Sequence, residues 1–378
     1  LVSRRCAARS GARVGPRVTW LLVSGDFTPL GGMDRANHAL AAHLAARGDD
    51  VHLVAHRAWT DLTACPSITV HKAWRPFGSH RLGKPLLAAA GRRCARALAR
   101  RGGHVVVNGG NCIWPGVNWV HYVHAVYGAP GDRDAERRAL RAARVVVCNS
   151  RRTRDDVVER VGVDPARVHV VYYGADERFR PADAAARARA KAALSLPADR
   201  PAALFVGALG DERKGFDTLF AAWAALCRDR WWDVDLVVAG TGRALPRWRQ
   251  LAQAAGLERR IRFLGFREDV PTLAAAADVV VHPARYEAYG LGVHEALTAG
   301  VPAIVSATAG VAERYPPDLA PLFIRDPEDA RALADQLRGW RRDLEAWRAR
   351  VLPFAASLGA RSWSDMSKEI VTLAECAA

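Results

Sequence analysis

Two glutamates, Glu287 and Glu295, stand seven residues apart in the stretch RYEAYGLGVHEALTAGVPAIVS (285–306), on either side of a turn holding Gly290 and Gly292. The preceding DVVVHP reads as a strand. LGVHEALTA reads as a helix, closed by Gly300 with Pro302 beyond it. Open α/β sheets bind ligands beyond the carboxyl ends of their strands, and the unpaired amides at the start of the next helix form an anion site. Tyr289, Gly290, Leu291 and Gly292 fall at that place here. An acid beside such a site adds nothing to phosphate binding by charge, so Glu287 is expected to accept hydrogen bonds from hydroxyls. Glu295, one turn further in, is placed to do the same for a ribose.

Other residues compete for a chemical role. Arg213 and Lys214 adjoin in DERKG, and WVHYVHAVYG carries His121 and His124. Read as one strand, that segment points the two histidines to opposite faces. His124 is preferred because it is nearer the loop. Two Asp-x-Asp pairs, Asp132/Asp134 and Asp233/Asp235, have the form that holds a divalent cation on a diphosphate. They fall before a basic helix and at a strand entry, so no metal is expected. His38, His43, His52 and His56 lack ligand spacing and receive no site. No GxGxxG follows the first strand and no GxxxxGK[ST] occurs, which counts against a dinucleotide dehydrogenase and a P-loop nucleotidase.

The elements that must position these residues repeat one theme. VTWLLVS (18–24), a Gly-Gly loop, the helix DRANHALAAHLAARG and the strand DVHLVAH make a βαβ unit. HVVVN (104–108), VNWVHYVH (117–124) and RVVVCNS (144–150) continue it, and RVHVVYYGADERFRP (167–181) leads out. The alternation restarts with PAALFVGAL (201–209), DLVVAGTG (235–242), RIRFLG (260–265), DVVVHP (278–283) and VPAIVS (301–306). Unbroken Val/Ile/Leu runs mark parallel strands covered on both faces. At 378 residues the chain fits two such domains. The expected division is a disordered basic tail over 1–17, domains over 18–175 and 176–358, and a helix over 359–378 packing back on the first domain. Trp340, Leu344, Trp347 and Val351 are expected in the core of the helical tail.

Seven scattered cysteines without CxxC argue for reduced thiols, and no apolar run is long enough to span a bilayer. The net charge of +16 is lopsided: residues 1–171 hold 27 Lys and Arg against 12 Asp and Glu, the remainder 28 against 27. The first half is short of acids rather than rich in cations. A basic face there suits anionic lipid or an anionic substrate. The segment HRLGKPLLAAAGRRCARALARRGG places Arg92, Arg93, Arg96, Arg100 and Arg101 on a helix with Leu86, Leu87 and Leu98, a pattern that can lie on an anionic membrane. An ordinary solvated helix is preferred.

Six segments in order resemble the family 4 retaining glycosyltransferases: GGMDRANHALAAHLAARG, VVYYGADERFRP, FVGALGDERKGFDTLFAAW, VVAGTG, IRFLGFREDVP and the opening stretch. The resemblance implies an α/β GT-B fold, two doubly wound Rossmann-like domains facing a central cleft. It implies metal-independent transfer of a sugar from a UDP- or GDP-type donor to a glycan, lipid-linked or small-molecule acceptor, with retained configuration. By the same resemblance, Lys214 neutralises the donor diphosphate and Gly215 makes the turn beside it. Glu287 contacts the donor sugar, Glu295 holds the ribose, and His124 lies near the reacting sugar. Gly31, Gly32, Gly240, Tyr289, Gly290 and Leu291 line the donor. The family carries an arginine where this chain has Ala208, and Arg213 is expected to supply that cation. The rival readings are a nucleotide-sugar-binding protein without catalysis and a GT-B epimerase or hydrolase. No cofactor and no nucleic acid are expected, and the location expected is cytoplasmic, with peripheral membrane contact through the basic helix.

Overall fold

The structure, a computed structural model, describes residues 17–376. The expected disordered tail, apart from Arg17, lies outside them. The described chain divides into two units, residues 17–174 with 363–376, and residues 175–362.

In the first unit the apolar runs form seven parallel strands: β1 (Thr19–Val23), β2 (Asp50–Ala55), β3 (Ile68–Lys72), β4 (His104–Asn108), β5 (Val117–Val120), β6 (Val145–Cys148) and β7 (Val168–Val170). Their order is β3-β2-β1-β4-β5-β6-β7. Trp20, Leu21 and Leu22 follow one another in β1 and are all buried. Successive strand residues point to opposite faces, so both faces of the sheet are covered. The strand order reverses between β1 and β4, and the loops leaving those strands part there to leave a crevice. One loop enters α1 (Gly32–Ala46) and the other turns through Gly109–Asn111.

Helix α2 (His80–Ala99) packs on this sheet through Gly83, Leu87, Gly91, Ala95 and Leu98, a stripe at helical spacing. A Cβ on Gly91 would stand 3.0 Å from Val23 Cγ1 and 3.1 Å from Cys112 Sγ, so glycine permits the close approach. Leu87 and Leu98, two of the three leucines in the membrane reading, are therefore spent on the core. The helix Trp363–Cys376 also belongs to this unit. Trp363 packs near Tyr173 with ring centroids 5.7 Å apart, Ser364 Oγ meets His43 Nδ1 at 3.1 Å, and Glu375 pairs with Arg47 at 3.2 Å.

The segment from Val117 to His124 is not one strand. β5 stops at Val120, His121 lies beyond it, and His124 opens the single turn α3 (His124–Tyr127). The cause is Glu136 on α4 (Pro130–Ala142): its carboxylate accepts from the His124 backbone N–H at 2.8 Å and pairs with its Nδ1 at 2.9 Å. That capture draws the chain out of the sheet. The two histidines then line one cavity instead of opposite faces.

The second unit repeats the arrangement with β8 (Ala202–Val206), β9 (Asp235–Ala239), β10 (Ile261–Gly265), β11 (Val279–His282), β12 (Ala303–Ser306) and β13 (Phe323–Ile324), ordered β10-β9-β8-β11-β12-β13. Its helices include α5 (Phe216–Leu226), α6 (Leu291–Thr298), α7 (Ala330–Arg342) and α8 (Leu344–Gly359). Trp340, Leu344, Trp347 and Val351 are buried. The reversal falls between β8 and β11, so their loops, 207–215 and 283–290, flank the crevice of this sheet.

Candidate functional site

Those two loops are stitched together before any ligand is considered. Arg285 N–H donates to Arg213 O at 2.8 Å, and the Arg285 guanidinium reaches Glu212 O at 2.6 Å and both Asp217 oxygens at 2.7 and 2.8 Å. Gly215, at φ 66°, lies so near Pro283 that a Cβ would stand 1.8 Å from its carbonyl oxygen. The stitching delivers Lys214 Nζ to Glu287 Oε2 at 2.6 Å, and His282 Nε2 meets the same oxygen at 2.9 Å. Burial alone would raise the Glu287 carboxyl, but Lys214 and His282 outweigh it and hold the group well below the usual carboxylate range. Glu287 is thus a fixed anion, unsuited to donate a proton. Both bonds fall on Oε2, so Oε1 is left to accept from a hydroxyl.

Next to this group, Gly290 takes φ 103° and starts α6 without a side-chain cap. The Leu291 and Gly292 amides have no intrahelical acceptor and remain for an anion. Other expected site residues serve this loop from inside. Tyr289 is 2% exposed, its hydroxyl contacts His294 Nδ1 at 2.9 Å and Arg314 at 3.3 Å, and its carbonyl accepts from the Val311 N–H at 2.7 Å, so it braces the loop from within. Burial, then Arg314 and Arg361, push His294 down to about 3, which keeps it neutral. Leu291 and Glu295 are buried as well.

On the far side of β8, Leu209 N–H donates to Thr241 O at 2.8 Å, and a Cβ on Gly240 would lie 1.9 Å from Gly207 O. Gly240 is there to let the loops after β8 and β9 touch. Ala208 is exposed beside them. Arg213 is held by Asp211 through two bonds of 2.8 and 2.5 Å, so its charge is largely matched. Arg243 is exposed at this rim, its Cγ 2.9 Å from where a Gly210 Cβ would be. Sequence reading missed Arg243 and His282; only the register of the loops, which no motif encodes, sets His282 on the Glu287 carboxylate that Lys214 also holds and Arg243 against Gly210.

The first unit's crevice contains a cavity of about 250 Å³ lined by His121, His124 and Glu136 among others. His121 is buried, with Nδ1 2.6 Å from Tyr173 Oη and Nε2 3.1 Å from Asn108 Nδ2. The amide donates, so Nδ1 carries the proton. Burial pushes this imidazole down to about 3. His124 is one-third exposed, and Glu136 fixes its Nδ1 as the donor, leaving Nε2 as an acceptor. Gly31, at φ 79°, opens α1 on the same crevice, with Gly32 its first residue.

The aspartate pairs have local partners: Asp233 takes Arg341 in two bonds, Asp235 binds Arg200 and Arg260, and Asp132 pairs with Lys84. His38 meets Asp61, His52 meets His71, and His56 meets Ala73 O. A larger hollow of about 1000 Å³ lies at the β10 edge of the second unit. Its Arg200 and Arg260 are engaged by Asp235.

The sequence model of Glycosyltransferase Family 4 matches residues 30–179, and that of Glycosyl transferases group 1 matches residues 200–343. The chain is 36% identical over 180 residues to an alpha-D-kanosaminyltransferase of Streptomyces kanamyceticus, covering 47% of this chain and 46% of that protein. It is 30% identical over 285 residues to a D-inositol 3-phosphate glycosyltransferase of Corynebacterium urealyticum, covering 69% and 66%. The chain thus spans between about half and two thirds of the length of these relatives. Among solved structures, sucrose-phosphate synthase from Thermosynechococcus elongatus superposes with a TM-score of 0.77 at 22% identity, over 95% of this chain and 99% of that one. WaaG, a glycosyltransferase involved in lipopolysaccharide biosynthesis, gives 0.75 at 18%, over 94% and 99%. Anabaena Alr3699/HepE, solved with UDP and glucose, gives 0.73 at 19%, over 94% and 99%. With the two models together matching 294 of the 378 residues, one in each unit, the chain belongs to the family 4 glycosyltransferases, enzymes of the GT-B fold.

Proposed function

We propose that the protein transfers a sugar from a nucleoside diphosphate to an acceptor hydroxyl with retained configuration, without a metal. The observation that carries this reading is the Lys214–Glu287–His282 cluster beside the open amides of α6. It offers a cation and two N–H groups for phosphate next to a fixed anion for sugar hydroxyls. Support for the donor class comes from the structural relative solved with UDP-glucose.

As the bond from the anomeric carbon to the β-phosphate oxygen breaks, its electron pair moves to the diphosphate. Lys214, the α6 amides and Arg243 stabilise that charge, Arg243 standing in for the arginine absent at Ala208. Glu287 is held ionised and paired on one oxygen, so its task is to hold sugar hydroxyls through Oε1. The acceptor oxygen bonds the anomeric carbon from the face the phosphate leaves, and its proton passes to the departing phosphate oxygen. His124 Nε2 accepts from a sugar hydroxyl. The acceptor is a glycan, lipid-linked or small molecule, and the exposed Leu86 and arginines of α2 leave peripheral membrane contact available.

A thermal-shift panel of nucleoside diphosphate sugars identifies the donor: a ligand at 100 times its Kd adds about 2.7 kcal/mol of stability. Transfer is then assayed with EDTA and with Lys214→Ala and Glu287→Ala. Full activity in EDTA and losses of orders of magnitude in both variants are expected. Near-normal turnover in either variant, or loss of activity in EDTA, overturns the corresponding part.

A further inference from the structure

The turn between β3 and α2 carries large apolar side chains outward. Trp74 is 70% exposed and Phe77 99%, and Leu82 and Leu86 on the first turns of α2 are exposed as well. A single exposed leucine is ordinary, but four large apolar side chains within residues 74–86 make a patch. Phe77 also sits at φ 50°, in the left-handed region that a bulky residue rarely adopts. Exposure and backbone both act against the free protein at this residue, and no contact within the chain offsets them. Strain held in place by its surroundings points to a role outside the fold.

The surroundings do hold it. Ala73 N–H donates to Ala55 O at 2.7 Å, His56 Nδ1 donates to Ala73 O at 3.0 Å, and Ser79 N–H closes the turn on Pro76 O at 2.8 Å. A Cβ on Gly83 would stand 3.1 Å from Arg75 Cγ, so the turn packs against the start of α2. That helix gives Gly83, Leu87, Gly91 and Ala95 to the sheet. Leu82, Leu86, Ala89, Arg93 and Arg96 follow one another at helical spacing on the opposite side, and all are exposed. The outer face is therefore apolar at the end that follows Phe77 and cationic beyond it.

Charge around the patch has one sign. No acid occurs between Asp61 and Asp132, a span that holds nine Lys and Arg. Lys84 is taken by Asp132, and Arg75 lies 3.9 Å from Asp26. Lys72, Arg81, Arg93 and Arg96 make no ion pair among the described residues. A fixed apolar tip among unpaired cations complements a surface with hydrocarbon beneath a layer of negative charge. A second copy of the chain would set these cations against their own kind. A nucleic acid would pair with the cations and stack on Trp74, but it offers nothing to Leu82 and Leu86.

We propose that the first unit docks on an anionic lipid bilayer through this patch. Trp74 and Phe77 enter the boundary between headgroups and acyl chains, where aromatic side chains are favoured, and Arg81, Arg93 and Arg96 lie on the headgroups. This is not a helix lying on its apolar stripe, since the stripe of α2 faces the sheet. The docking does not depend on the glycosyl-transfer reading, and vesicle binding is read without donor or acceptor.

The test is co-sedimentation of the full chain with vesicles of phosphatidylcholine alone and of phosphatidylcholine mixed with phosphatidylglycerol. Binding is expected to the mixed vesicles only, and to weaken as salt rises from about 0.1 to 1 M and the screening length shrinks from about 10 to 3 Å. Phe77→Gly should weaken it about tenfold or more through lost apolar burial, with an unchanged or higher Tm because glycine adopts this φ freely. Arg93→Gln with Arg96→Gln should weaken it about fivefold per charge removed. Trp231→Ser, at a tryptophan of the second unit that is 76% exposed, should bind as the unaltered chain does. Absence of binding to the mixed vesicles, equal binding to both compositions, full binding by Phe77→Gly, or an equal loss in Trp231→Ser overturns the proposal. Tighter binding to a single-stranded oligonucleotide than to the mixed vesicles, lost in Phe77→Gly, overturns it in favour of a nucleic acid.

Discussion

Gly215 and Gly256 share a backbone angle, φ 66°, but not surroundings. At Gly256 a Cβ would meet nothing within 4 Å; at Gly215 it would meet Pro283 O at 1.8 Å. Alanine at either site pays for the left-handed conformation, about 1–2 kcal/mol. At Gly215 the loop must also retreat by more than an ångström from β11, since real Cβ contacts essentially never fall under 3.0 Å. That retreat breaks the Arg285 N–H bond to Arg213 O, adding about 2 kcal/mol for the lost bond and the strain. A unit of this size shifts its Tm by roughly 2–4 °C per kcal/mol. Gly256→Ala should therefore melt roughly 2–8 °C lower and Gly215→Ala roughly 6–16 °C lower. Thermal unfolding followed by circular dichroism measures both. Gly215→Ala should also weaken binding of the donor found in the thermal-shift panel, because Lys214 moves with the loop, whereas Gly256→Ala should not. Equal melting shifts for the two variants would refute the argument that the 207–215 loop is positioned by contact with Pro283.

Lys214→Met, Glu287→Gln and the double variant form a thermodynamic cycle in urea. With side chains 24% and 16% exposed, the pair should show a coupling of about 1–3 kcal/mol, below that of a fully buried pair; additive losses would mean the ion pair is not formed in solution. His121 and His294 titrate near 3 in the folded chain and near the ordinary 6.5 when unfolded. Between those values the unfolded chain binds more protons, so stability should fall as pH drops from 6.5 towards 3, by up to about 1.4 kcal/mol per pH unit for each histidine. His294→Gln should make that acid slope shallower, and an unchanged slope in calorimetric melts would contradict a buried neutral His294. Asp34 works with the opposite sign: its folded value of about 7 lies above its ordinary 3.8, so it costs stability as pH rises through that window. Asp34→Asn should therefore stabilise the protein more at pH 8 than at pH 4, and equal effects at the two would place Asp34 in solvent.

The strands were legible because apolar runs such as HVVVN and DVVVHP are too short to span a bilayer and have few other stable uses than a covered strand. The loop histidines were misplaced for a complementary reason. VNWVHYVH alternates well enough to read as one strand, and only the Glu136 carboxylate, arriving from a helix twelve residues on, ends it at Val120. Likewise α2 looks amphipathic from its sequence, but a helix cannot announce whether its apolar stripe faces a sheet or a membrane. Gly83, Gly91 and Ala95, which share the buried stripe, are what admit Leu87 and Leu98 to the core.

By itself the sequence determined the two doubly wound sheets, their family, and the short list of side chains near the strand ends, because hydrophobic period and glycine spacing are local properties. Tertiary structure decided what those side chains face. Lys214 and Glu287 are 73 residues apart in sequence and 2.6 Å apart in space. Arg213 is matched by Asp211 while Arg243 has no such partner among the described residues, and in the half that is short of acids Asp26 is shared by Arg57 and Arg75. Charge in sequence is a sum, whereas recognition depends on which charges remain after the fold has paired the others.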